Sequence, residues 1–423
     1  MAHRGRAFRA LALAALLTVR AQADAGLGFM DDQLILGRLG SETMAASSVP
    51  AQAQFLDPAS FAVMPDVPPP EKANGKTIFV PPGSTLESLK DRPFHVYHED
   101  FLGIIGADPS LSLIAEEETD PLFHEAAVWY PPTDDMFFVQ NAGARAAGTG
   151  LAKSAVVQKI GMREARAAAA EGARVAIEVV SSEPAILNPN GAANFKGNII
   201  FAGEGMGDKP SALYLMNPEP PYNVTTLVNN FYGRQFNSLN DVAVHPRTGG
   251  VYFTDVTYGF LQDFRPNPGL PNQVYRFDLR TGAVTAVADE VSMCNGLAFS
   301  PDGRFAYVTS SAASQAFRGF DNTLPSSIYR YEVTTGGTFQ HRVLFAYVGT
   351  GVPDGIHCDA EGNVYAGCGD GVYVWNPRGT LLGKIFTAGV VANFQFAGDG
   401  RIVILGETRL YYAQLGAKAA PVL

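Results

Sequence analysis

Residues Gln235 to Asp255 read QFNSLNDVAVHPRTGGVYFTD. A polar pair, Asn240-Asp241, opens a short apolar run; a turn with Pro and Gly follows, then a second apolar run. Two apolar runs on either side of such a turn predict a β-hairpin. The same grammar recurs along the chain. AAVWYPPTDDMFFVQNA begins at Ala126, GLAFSPDGRFAYVTS at Gly296, GIHCDAEGNVYAGC at Gly355 and NFQFAGDGRIVILGE at Asn393. A looser unit, GAANFKGNIIFAGEG from Gly191, lacks a clear first strand. Further strands follow several units: QVYRFDL, SIYRYEV, GVYVWNP and RLYYAQL. Six such units predict an all-β fold, a six-bladed β-propeller in which each blade is a small four-stranded sheet. A β-sandwich is the competing architecture, but its strands do not recur in such similar pairs.

Composition agrees. Of 423 residues, 47% are hydrophobic and only 17% charged, with 44 Gly and 28 Pro, which suits short strands joined by tight turns. The net charge of -10 argues against nucleic acid as a partner, because phosphate binding needs a basic face. At the N-terminus, MAHRGRAFRALALAALLTVRAQADAG has a basic start, an apolar run from Ala10 to Val19 and a small-residue cleavage site. This predicts a signal peptide over residues 1–23, cut near Ala23, and a secreted protein with no membrane contact in its mature form. The run is too short to span a bilayer, and Arg20 ends it. Residues 24–100, with MPDVPPPEKANGK, read as an extended arm on the propeller, and 101–423 as the propeller itself. REARAAAAEGARV, from Arg163, predicts a short helix between strands. GARAAGTGLAKS lacks the glycine spacing of a phosphate loop.

Secretion permits disulfides, and there are three cysteines, Cys294, Cys358 and Cys368. Cys358 and Cys368 stand on two arms of one hairpin, offset by roughly 16 Å along the strand, which disfavours a bridge. Cys294 with Cys358 stays open. Asn223-Val224-Thr225 is a glycosylation sequon and predicts a glycan at Asn223.

The polar residues that open the blades carry the functional reading. Glu125, Asn240, Asn295 and Asp354 stand at the starts of first strands in different blades. First strands line the central channel, so these four would converge on one ring. Two carboxylates and two amide carbonyls are hard oxygen ligands that suit Ca2+, whereas zinc and copper prefer thiolate or imidazole. Four carboxylates would repel one another; the amides bind without adding charge. Turn capping is the bland alternative for any one of them. His124 should point to the opposite face from Glu125. His357, three residues after Asp354, reaches the channel mouth or serves a structural hydrogen bond. Phe236, Tyr258 and Phe260 are candidate apolar walls or blade core.

FHEAAVWYPPTDDMFFVQNAG, GRQFNSLNDVAVHP, NGLAFSPDG and VPDGIHCDAEGNVYAGCGDGVYVWNP resemble the senescence-marker/gluconolactonase family, and within it fungal lactonohydrolases of aldono- and pantoyl-type lactones. The resemblance implies a six-bladed propeller, a secreted enzyme and an axial Ca2+ on Glu125, Asn240, Asn295 and Asp354. Relatives place Arg where this chain has Ser238, Pro where it has Cys294, and Asp-Thr where it has Ser310-Ser311. The expected activity is hydrolysis of a small lactone, with Asp354 as first candidate base, Asp241 as second, and Asn240, His357 and Ser238 as substrate contacts. A propeller that performs hetero-Diels–Alder cyclisation or isomerisation is the alternative, and a non-catalytic binding module the third. The ring of open metal ligands disfavours the last.

Overall fold

The computed structural model describes residues 49–141, 155–398 and 400–422. The expected signal peptide and the first part of the arm, to residue 48, lie outside the described residues, as does GARAAGTGLAKS.

Six antiparallel sheets form the blades of a β-propeller. Blade one runs Glu125–Tyr130, Asp135–Val139, Val157–Gly161 and Glu178–Val180 from the innermost strand outward. Blade two runs Pro189–Phe195, Asn198–Gly203, Ala212–Met216 and Val224–Val228. Blade three, which holds the opening stretch, is Leu239–Val244, Val251–Asp255, Gln273–Asp278 and Ala283–Ala288. Blade four is Cys294–Phe299, Phe305–Ser310, Ser327–Val333 and Phe339–Tyr347. Blade five is Ile356–Cys358, Val364–Cys368, Gly371–Trp375 and Leu381–Phe386. Blade six is Asn393–Phe396, Arg401–Gly406 and Arg409–Gln414, and its outermost strand, Ser110–Glu116, comes from before blade one.

The second strand of each blade is buried on both faces, and its alternation divides its side chains between two neighbours. In DMFFV, Met136 and Phe138 pack toward blade six, and Phe137 packs toward blade two. Every pair of adjacent blades shares one such apolar layer. A fully buried Phe contributes about 1.5–3 kcal/mol. The helix expected from Arg163 spans Met162–Glu171 and sets Met162, Ala165 and Ala168 into the layer between blades six and one. Its left-handed C-cap, Gly172 (φ 65°), ends it.

Blade two does have a first strand, which sequence reading left unclear because Gly191, Ala192 and Ala193 give it no bulk. The crowding of blade three explains the small residues. A Cβ on Gly191 would lie 2.5 Å from the Asp241 Cα and 2.6 Å from the Asn240 carbonyl oxygen. Part of the arm is also sheet: Phe94–Val96 pairs antiparallel with Leu381–Phe386, and Ala53–Phe55 pairs parallel with Phe94–Val96, so blade five has six strands. All three cysteines are buried and free; Cys358 pairs with Val364 across its hairpin, and Cys368 lies four residues further along. Asn223 is exposed just before the outer strand of blade two. Among the described residues no helix is long and apolar enough to cross a membrane.

Candidate active site

The first strands start at one end of the channel and finish at the other, and a cavity lies at each end. The cavity at the starting end has a volume of about 540 Å3 and is lined by Glu125, Asn240, Asn295 and Asp354 together. They are not at strictly equivalent positions. In blades three and four the ring residue stands two before the point where regular pairing resumes, Val242 and Leu297; Glu125 stands three before Val128. Ala126 between them takes a left-handed conformation, φ 52°. The broken ladder also explains why His124 lines the same cavity as Glu125: strict alternation of faces holds only in regular pairing.

Neighbouring blades hold each ring residue. The Asp354 amide donates to the Gly367 carbonyl at 2.9 Å, and its carbonyl accepts from Thr309 Oγ1 at 3.0 Å. A Cβ on Gly296 would lie 2.3 Å from that carbonyl oxygen. The Asn295 carbonyl accepts from Thr254 Oγ1 at 2.8 Å. Glu125 Oε2 accepts from Asn393 Nδ2 at 2.5 Å. Burial, then the charge of Asp354, raises the Glu125 pKa well above the ordinary carboxylate value. Asp354 is raised to about 6 by desolvation, with His124 and a hydrogen bond from Glu125 opposing a larger rise.

Further residues of the cavity escaped the sequence reading. Asn190, in blade two, donates through Nδ2 to the Asn240 carbonyl at 3.1 Å. Its signal was Asn190-Gly191, which matches Asn295-Gly296 and Asp354-Gly355. Glu204 and Glu407 each follow a second strand in a Gly-Glu pair, GEG and GET, and both line the cavity. His124 Nδ1 lies 2.8 Å from Glu407 Oε1, and Asn141 Nδ2 donates to Glu407 Oε2 at 3.2 Å. Burial lowers the His124 pKa, but Glu407, with Asp354 and Glu204, offsets this and the net shift is upward.

Four expectations need correction, and Phe236 takes the second of its two readings. Asp241 lines the smaller cavity at the far end, and its two oxygens accept from the Val242 and Leu297 amides, each at 2.8 Å. It braces blade three to blade four and is not placed to act as a base beside Asp354. His357 also lines the far cavity, with Nε2 3.4 Å from Asn393 Oδ1; burial lowers its pKa to about 4. Ser238 is fully buried behind the wall, where its Oγ donates to Glu204 Oε1 at 2.9 Å. Phe236 is blade core, packed edge-on against Phe253 and Tyr275. Phe260 packs against the Arg318 guanidinium instead of lining the cavity, whereas Tyr258 does line it.

Glu204 yields a test of this electrostatic picture. Desolvation raises its pKa from 4.5 to about 7, while Ser238 and His124 act the other way. The unfolded chain therefore releases this proton near 4.5 and the folded chain holds it until about 7, so wild-type stability falls as pH rises through that interval. Glu204→Gln cannot ionise. Urea unfolding should show the variant more stable than wild type at pH 8, by up to about 3 kcal/mol, with no gain at pH 4. Equal stability at both pH values would show that Glu204 is well solvated.

Residues 192–404, half of the chain, match the SMP-30/Gluconolactonase/LRE-like region family. The chain belongs to this family. Asn240, Asn295 and Asp354 fall inside the matched residues of this gluconolactonase-like protein, and Glu125 precedes them. The chain is 27% identical over 346 residues to lactonohydrolase oryL of Aspergillus oryzae, covering 76% of this chain and 73% of that protein. It is 32% identical over 171 residues to the gluconolactonase of Zymomonas mobilis, covering 38% and 45% of the two chains. A solved gluconolactonase of Xanthomonas campestris superposes with a TM-score of 0.61 at 24% identity, covering 76% of this chain and 95% of that one.

The four-residue ring fits a calcium ion. Its donors are two carboxylates and two amides, all hard oxygen. Asn240 Oδ1 is buried and has no hydrogen-bond partner among the described residues, which leaves an acceptor unengaged. The four ring residues include no imidazole or thiolate, the donors usual in a zinc centre.

Proposed function

We propose that this propeller hydrolyses small lactones in the 540 Å3 cavity, with Ca2+ held by Glu125, Asn240, Asn295 and Asp354. The observation that carries the reading is the convergence of these four residues, from four blades, on one cavity in a chain of the gluconolactonase-like family. The lactonohydrolase and gluconolactonase relatives support the reaction class.

When bound, the ion would supply Lewis acidity toward a carbonyl oxygen. The chain supplies the proton transfers. Asp354, whose carboxylate reaches the cavity floor, is the proposed base for the attacking water. The C–O bond of the ring breaks, and the proton returns to the departing alkoxide, so the product is a hydroxy acid. Glu407 and Asn141 hold His124 at the wall, where its raised pKa favours positive charge near the developing carboxylate. Secretion, removal of residues 1–23 and a glycan on the exposed Asn223 remain part of the proposal, supported by the sequence pattern.

Calcium titration by calorimetry, paired with a pH-stat assay on five- and six-membered lactones, tests the reading. One ion should bind per chain, and exhaustive chelation should abolish turnover until calcium is restored. Binding of zinc in preference, or full activity after chelation, would overturn the metal assignment. Absence of turnover on every lactone by the calcium-loaded protein would transfer the site to the cyclisation reading.

A further inference from the structure

The walls above the ring are not uniform. Blades six, one and two contribute His124, Asn141, Asn190, Glu204 and Glu407. The opposite side is built by the loop between the second and third strands of blade four and by the connections on either side of blade five. These contribute Phe317, Phe320, Val352 and Val390. Phe317 is 63% exposed and Val390 51%, although both line the cavity.

The part of this wall around Phe320 is held in place. The arm crosses it at residues 74–77: the Gly75 amide donates to Asn322 Oδ1 at 2.8 Å, and the Gly75 carbonyl accepts from the Gly351 amide at 2.5 Å. Lys76 Nζ sits 5.2 Å from the Phe320 ring centroid. A Cβ on Gly75 would lie 2.9 Å from Phe320 Cε1, so the arm rests directly on that ring. A fixed apolar surface that stays wet in the free protein favours a ligand able to cover it, because little ordering accompanies binding.

We propose that the substrate is an amphipathic lactone, whose ring lies at the polar floor and whose alkyl substituent lies along Phe317, Phe320, Val352 and Val390. The proposal rests on the lactone-hydrolase reading and replaces a polyhydroxylated ring by an alkyl-substituted one. The four side chains Phe317, Phe320, Val352 and Val390 offer no hydrogen-bond partner to a ring hydroxyl, although Ser314, Thr350 and Lys76 line the same side of the cavity. The cavity, about 540 Å3, is of the size that takes drug-sized ligands and leaves room beside a bare five- or six-membered ring.

The test compares δ-decalactone, δ-valerolactone and glucono-δ-lactone on the calcium-loaded full chain. The expected kcat/KM for δ-decalactone exceeds that for each of the others at least tenfold. In Phe317→Ser/Val390→Ser, a change of two exposed side chains, the ratio of decalactone to valerolactone should fall at least fivefold. Preference for glucono-δ-lactone, or an unchanged ratio in the variant, would overturn the proposal. If no lactone is hydrolysed, the hydrolase reading fails separately, and binding still decides. Calorimetry with 6-pentyl-2-piperidone and 2-piperidone, lactams that resist opening, should then show at least tenfold tighter binding of the pentyl compound. Equal affinity would sink the amphipathic ligand as well.

Discussion

Asp354→Asn is expected to lower kcat for lactone opening by about 10²-fold or more, the usual contribution of a positioned general base. The substitution keeps an oxygen at the cavity floor and leaves the backbone bonds to Gly367 and Thr309 untouched, so the fold should survive. It also removes the carboxylate charge that helps raise the Glu125 pKa, so Glu125 should ionise at lower pH in the variant. Calcium affinity must be measured on the same sample, because an amide binds the ion more weakly than a carboxylate. A variant that binds calcium fully and turns over undiminished would remove Asp354 from proton transfer.

Gly191→Ala should damage the channel through a single methyl group. The added Cβ meets backbone on the neighbouring blade, the Asp241 Cα at 2.5 Å and the Asn240 carbonyl at 2.6 Å, and neither can rotate away. Overpacking of this kind costs about 1–3 kcal/mol. Relief by separation of blades two and three would carry Asn240 with it, and the Asn190 bond to the Asn240 carbonyl would lengthen. Urea unfolding should show the lost stability, and calcium titration a weakened site. A control at Gly197, where a Cβ meets nothing within 4 Å, should leave the site intact despite its left-handed φ of 77°. Unchanged calcium affinity in Gly191→Ala would separate blade packing from the geometry of the ring.

The propeller was legible because five of its six hairpins repeat a pattern dictated by burial: apolar strand, polar turn, apolar strand. Blade two was blurred for a local reason. Its first strand is made of residues small enough for blade three to approach, and Gly and Ala carry little β signal. The ring was legible in part. Asn240, Asn295 and Asp354 stand at the starts of recognisable strands, whereas Asn190 stands at the start of the strand that was unclear. Asp241 and His357 were misassigned because nearness in sequence is not nearness in a channel: a few residues along a first strand lead from one mouth toward the other. Glu204 and Glu407 stand after second strands, away from the starts of the first strands. Their common Gly-Glu step after a second strand becomes visible once both are seen at the cavity wall.

The strand Ser110–Glu116 closes the ring against Arg409–Gln414, with Arg409 Nε 2.7 Å from Glu116 Oε1 across 293 residues of chain. This has a consequence for biosynthesis. At about 5–20 residues per second, translation delivers the partner of this strand about 15–60 s after the strand itself. Throughout that interval its edge is unpaired and the apolar layer between blades six and one is incomplete, a condition that invites association with other nascent chains. A ribosome stalled anywhere before Arg409 would therefore hold an open arc of blades, and chaperone demand should be set by this final seam more than by any blade along the way.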